Sequence, residues 1–195
     1  MYWGKEDTSV HFCEQKYAAS PYISEWYNTW SALSYIIVGL YFIRTRLDEV
    51  GYALIMIGIG TALLHGTNRF YGQCLDEMSM LFLCFATIRE VGNYIISYVW
   101  LLFMFVIYLM YHEIFAVFFV GFVVLQAYIF QRANDIGLKK GKRLILNLCI
   151  FSAIMGVIVW FLDQFACEHV QYYQLHAWWH VLTALSALFG YNILL

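Results

Sequence analysis

The run Gln174-Leu175-His176-Ala177-Trp178-Trp179-His180 decides how this chain is read. It lies in an apolar stretch, Tyr173–Leu195, that is long enough for a transmembrane helix, which needs about 20 residues. Two histidines four residues apart share one helix face, a spacing at which two imidazoles can hold one metal ion. Ionisable groups inside a membrane helix are costly, so they mark a functional site by default.

The rest of the chain agrees with a membrane setting. Of 195 residues, 63% are hydrophobic, 20% aromatic and only 12% charged, with a single proline. A soluble domain carries roughly 25% charged residues. Apolar runs at Trp26–Ile43, Tyr52–Arg69, Leu75–Ile88, Tyr94–Tyr111, Ile114–Phe130, Leu144–Phe165 and Tyr173–Leu195 are separated by connectors carrying charge and glycine. The runs lack period-2 alternation, and lipid admits only helices or closed barrels, so the expected fold is an all-α bundle of seven transmembrane helices. It forms one domain over residues 1–195, with residues 1–25 as an extramembrane segment packed on the bundle. The first apolar run follows a polar stretch, Lys5–Gln15, and is long enough to span, unlike a cleavable signal peptide. A net charge of −2 says little about partners, and no basic or aromatic face suggests nucleic acid.

Orientation follows from the distribution of Lys and Arg. Arg44, Arg46, Arg89, Arg132, Lys139, Lys140, Lys142 and Arg143 fall on one side, and Lys5, Lys16 and Arg69 on the other. The positive-inside rule then places the N-terminus outside or in a lumen and the C-terminus in the cytosol. Endoplasmic reticulum, Golgi, plasma membrane and bacterial inner membrane all fit such an integral multi-pass protein.

On this topology the polar residues converge at the outer end. The second span carries His65 near its outer end, the third begins there with Asp76 and Glu77, and the seventh enters with His176 and His180. A lone histidine on an apolar helix ordinarily bonds a neighbouring helix. Three imidazoles at one depth instead match a catalytic zinc pattern of three ligands and an open position. Haem fits poorly, since its axial ligands come from opposite faces of the porphyrin. His11, His112 and His169 fall in loops or at interfaces. Thr61, one turn before His65, could offer its hydroxyl to an oxyanion or back-bond to a helix carbonyl. Asp76 could be a general base or could orient a histidine.

These residues resemble the alkaline ceramidase family, within a wider superfamily of seven-helix membrane hydrolases that includes adiponectin/progestin-type receptors. The resemblance is carried by Thr61-x-x-x-His65, Leu75-Asp76-Glu77-x-Ser79-Met80, Trp160-x-x-Asp163-x-x-x-Cys167 and the opening seven-residue run continued through Leu182-Thr183. An N-terminal block, Tyr2-Trp3-Gly4, Cys13-Glu14-x-x-Tyr17 and Tyr22-Ile23-x-Glu25-x-x-Asn28-Thr29, looks similar too and is lacking in the receptors. The resemblance implies hydrolysis of the ceramide amide to sphingosine and a fatty acid, with membrane lipids as surroundings. It implies Zn2+ on His65, His176 and His180, Asp76 as proton acceptor, and Thr61 as a hydroxyl where the family usually has serine.

The resemblance also implies a calcium site, at the positions matching His11, Phe12, Glu14, Lys16 and Glu25. Here an acid and an asparagine are replaced by His11 and Lys16. Calcium wants several oxygen ligands and is repelled by an ammonium. The expectation is that Ca2+ binding is lost and that Lys16 forms a salt bridge between Glu14 and Glu25. By the same resemblance, Cys13 and Cys167 pair as a disulfide, which an outer or lumenal compartment permits. Two other readings stay open: a hydrolase of another N-acyl lipid, and a seven-helix zinc-containing lipid receptor or sensor.

Overall fold

The computed structural model describes residues 2–90, 94–111, 131 and 140–195. Helices are α1 (Trp26–Ser31), α2 (Leu33–Phe42), α3 (Asp48–Thr67), α4 (Phe70–Glu90), α5 (Tyr94–Tyr111), α6 (Lys140–Phe165), α7 (Cys167–Val170) and α8 (Leu175–Leu194), with a 3-10 turn at Gln171–Tyr173. Strands are absent among the described residues. The expected span Ile114–Phe130 lies outside them.

Among the described residues, two helices are long and apolar enough to cross a membrane, Asp48–Thr67 and the Gly141–Phe165 part of α6. Their mean hydropathies are 1.5 and 2.4. On α6, the side chains of Leu144, Phe151, Ile154, Ile158, Phe161 and Phe165 are exposed. So continuous an apolar surface fits a membrane protein, because water would penalise it and lipid would not.

The helix ends differ from those expected, for local reasons. The run Trp26–Ile43 is two helices that meet at Ala32, although the region has neither proline nor a local glycine. Thr29 Oγ1 donates to the Glu25 carbonyl (2.6 Å), Ser31 Oγ to that of Asn28 (2.9 Å) and Ser34 Oγ to that of Ser31 (2.7 Å). Hydroxyls bonded back to carbonyls three or four residues earlier bend a helix. The third expected span starts five residues early, at Phe70. Asn68 closes α3 in the left-handed region (φ 50°), its amide donating to Leu64 O at 2.7 Å. The Phe70 amide then donates to Asp7 Oδ1 (2.6 Å), a cap supplied from more than sixty residues away.

The helices pack α3 against α4 and α2, and α8 against α6, α2 and α1. Tyr35, Phe42, Leu47, Leu54, Ile57 and Tyr191 form the centre of the main core. The α3–α4 crossing is unusually close. A Cβ at Gly60 would lie 2.5 Å from the Asp76 amide nitrogen, and one at Gly72 2.6 Å from that of Leu64. Glycine at these two positions brings the start of α4, with Asp76, onto the histidine-bearing end of α3.

The N-terminal segment lies along that same end. Ser24 N donates to Gly66 O and Glu25 N to His65 O, both at 2.9 Å. Arg69 pairs with Asp7 (2.9 Å) and donates to Trp3 O (2.8 Å). The disulfide Cys13–Cys167 ties the segment to the start of α7.

Candidate metal centre and hydrolytic site

His65 sits in the last turn of α3, and His176 and His180 one turn apart at the start of α8. All three are buried, at 1%, 4% and 3% exposure, and offer ligand atoms within 4.8 Å of one another. Ring centroids are 5.1 Å apart for His65–His176, 5.0 Å for His65–His180 and 4.7 Å for His176–His180.

The surroundings decide which ring nitrogens are available. Glu25 Oε2 lies 2.5 Å from His65 Nδ1, and Ser31 Oγ 2.7 Å from His180 Nδ1. With Nδ1 engaged, each ring has Nε2 left as a metal ligand. His176 Nδ1 is buried and lacks a hydrogen-bond partner among the described residues, with Asp163 Oδ2 3.8 Å away. Three buried imidazoles, two of them held by outer partners, suit zinc, so the residues fit the ion. Phe12 covers the centre from the N-terminal segment, its ring 4.5 Å from that of His65 and 4.2 Å from that of His176.

Asp76 and Thr61 come together as one unit, with Thr61 Oγ1 donating to Asp76 Oδ1 at 2.5 Å. The hydroxyl is therefore aimed at the carboxylate, not back-bonded to its own helix. Tyr35 OH and Thr183 Oγ1 share a hydrogen bond of 2.6 Å beside His180. Glu77 points away from this pair, accepting from Gln73 Nε2 at 3.1 Å.

The expected bridge of Lys16 between Glu14 and Glu25 is not formed. Lys16 Nζ pairs with Glu6 Oε2 at 2.5 Å, at a part-exposed position. The two acids have other donors. Glu14 accepts the Tyr27 and Asn28 amides (2.8 and 2.9 Å), satisfying free N–H groups at the start of α1. Burial pushes the Glu14 carboxyl above its ordinary value, and those two amides oppose the rise. Glu25 is fully buried and engaged by His65, by Asn28 Nδ2 (3.0 Å) and by Asn68 Nδ2 (3.3 Å). An ammonium would have to lose its water to join them, so it stays at the edge.

His11 and His169 are exposed, and His112 lies outside the described residues. The sequence alone does not place Glu25, Ser31, Phe12 or Asp163 beside the histidine triad. Asp163 alone carried a usable signal, as a carboxylate inside the apolar run Leu144–Phe165. The other three are brought in by long-range packing and leave no local pattern.

A family model described as Ceramidase matches residues 4–195. Alkaline ceramidase 3 of Mus musculus is 25% identical over 95% of this chain and 82% of its own length. The alkaline ceramidase of Arabidopsis thaliana is 24% identical over 95% of this chain and 82% of its own. Alkaline ceramidase YPC1 of Saccharomyces cerevisiae is 31% identical over a shorter stretch, 44% of this chain and 30% of its own.

Proposed function

Because the chain belongs to the ceramidase family, a family of hydrolases, we propose that it cleaves the amide of a ceramide-like lipid at a zinc centre held by His65, His176 and His180. The observation that carries this is the buried histidine triad beside the Thr61–Asp76 pair at one end of the bundle. Zinc, when bound, supplies Lewis acidity towards an amide carbonyl and makes a water acidic near neutral pH.

The chain's own residues do the rest. Thr61 donates to Asp76 Oδ1 and so orients the carboxylate, with Oδ2 left to take the proton of the attacking water. Asp76 then returns that proton to the leaving amine, giving a sphingoid base and a fatty acid. Glu25 and Ser31 hold His65 and His180 in their ligating orientation. Phe12 closes the site on the N-terminal side, so the lipid enters between helices from the bilayer.

We further propose a seven-span bundle with the N-terminus outside or lumenal and the C-terminus cytosolic. The Lys/Arg asymmetry supports this, and so does the disulfide, which needs an oxidising compartment on the N-terminal side. Activity does not require calcium in this reading, because Glu14 and Glu25 are engaged by protein donors and His11 and Lys16 supply no carboxylate.

The test is purified protein with long-chain ceramide. Sphingosine release by the wild type, abolished in His180→Ala, supports the reading. Binding of ceramide without release by the wild type would overturn hydrolysis in favour of a sensor. Release from other N-acyl lipids but not from ceramide would overturn the substrate.

A further inference from the structure

The structure assigns Asp163 as the positioning residue of His176, linking the disulfide-tethered N-terminal segment to the metal centre. This inference rests on the three-histidine metal reading.

Asp163 lies in α6, 3% exposed, four residues before the disulfide cysteine Cys167. Its Oδ2 accepts the Cys13 amide at 3.4 Å and Gln164 Nε2 at 3.3 Å. The backbone amide of His176, in the first turn of α8, is also in hydrogen-bonding reach of this carboxylate. That turn has no side-chain cap of its own: Gln174 precedes it in the left-handed region (φ 52°) and makes no side-chain cap. A carboxylate there satisfies free amides and complements the positive helix end.

The same Oδ2 stands 3.8 Å from His176 Nδ1, the one triad nitrogen of its kind without a hydrogen-bond partner among the described residues. His65 and His180 already have theirs. A ligating histidine almost always donates its other N–H to a carboxylate, carbonyl or water, which sets its tautomer and raises its basicity. A movement of about 1 Å would close the gap to hydrogen-bond length. Asp163 then plays for His176 the part that Glu25 plays for His65. It differs in also holding Cys13, next to Phe12, so the covering segment and the ligand are anchored on one carboxylate.

The experiment compares zinc affinity of wild type and Asp163→Asn by competition with a chromogenic chelator in detergent, with the thermal unfolding of each metal-free protein alongside. Asparagine keeps an acceptor for the Cys13 amide but loses the charge. The expected result is zinc binding weakened by about 10-fold or more, with metal-free unfolding unchanged. Equal zinc affinity in the two proteins overturns the assignment and leaves Asp163 a fastener of the N-terminal segment. A wild type that takes up no zinc overturns the metal reading itself, a distinguishable failure.

A second measurement does not depend on the variant folding. Zinc-loaded wild type labelled with 15N-histidine should show a hydrogen-bonded Nδ1 proton of His176, identified by its loss in His176→Gln. Its absence from the wild type overturns the assignment.

Discussion

Glu25 Oε2 lies 2.5 Å from His65 Nδ1, and both side chains are fully buried. The contact joins the N-terminal segment to the histidine triad and leaves Nε2 of His65 as the nitrogen that would ligate a metal. Glu25→Gln removes the charge while keeping the size. Zinc affinity should fall by about 10–100-fold, read as metal retained after dialysis. Full zinc content in the variant would show that His65 is held without Glu25.

The Thr61–Asp76 hydrogen bond predicts a graded series. Thr61→Ser keeps the hydroxyl and should keep most of the turnover. Thr61→Val keeps the shape without the donor and should lower kcat with little change in KM. Asp76→Asn should cost about 10²–10⁴-fold in kcat, the usual range for a general acid–base group. Equal rates for Thr61→Ser and Thr61→Val would remove the hydroxyl from the account.

Cys13–Cys167 spans 154 residues of sequence and anchors Phe12 over the histidine rings. Reduction, or Cys13→Ser, should lower the thermal midpoint; closing a loop of this order stabilises by about 2–5 kcal/mol. Zinc should also exchange faster as Phe12 lifts away. Phe12→Ala, with the disulfide intact, should reproduce the faster exchange and leave most of the stability. An unchanged exchange rate in Phe12→Ala would show that this ring does not shield the centre.

A calcium-selective chelator should leave ceramide turnover unchanged, because the carboxylates of Glu14 and Glu25 are already satisfied within the protein. Turnover that falls in the chelator and returns with added calcium would contradict this.

What could be read from the residues divides by range. The His176/His180 pair is legible because helical spacing is local, and His65 joins them because the order of apolar runs puts its helix end at the same side. The disulfide partners came from family resemblance, since spacing does not choose among five cysteines. Helix ends were less legible. Asp7 caps α4 from across the chain, and three hydroxyls around Ala32 break a run whose hydropathy is continuous. Lys16 pairs with Glu6 and not with Glu14 and Glu25 for a physical reason. Charge complementarity favoured Glu14 and Glu25, but backbone amides and His65 engage those acids first, and Glu6 was the carboxylate left at the surface.

Amide hydrolysis, as proposed, depends on a metal held by His65, His176 and His180. The most direct measurement is sphingosine release from long-chain ceramide by purified protein, stripped of metal and then titrated with zinc. Activity should fall to background on stripping and return in proportion to zinc bound, saturating at one ion per chain, with no return in His180→Ala. Full-rate hydrolysis by the stripped protein, or recovery in His180→Ala equal to the wild type, would contradict it.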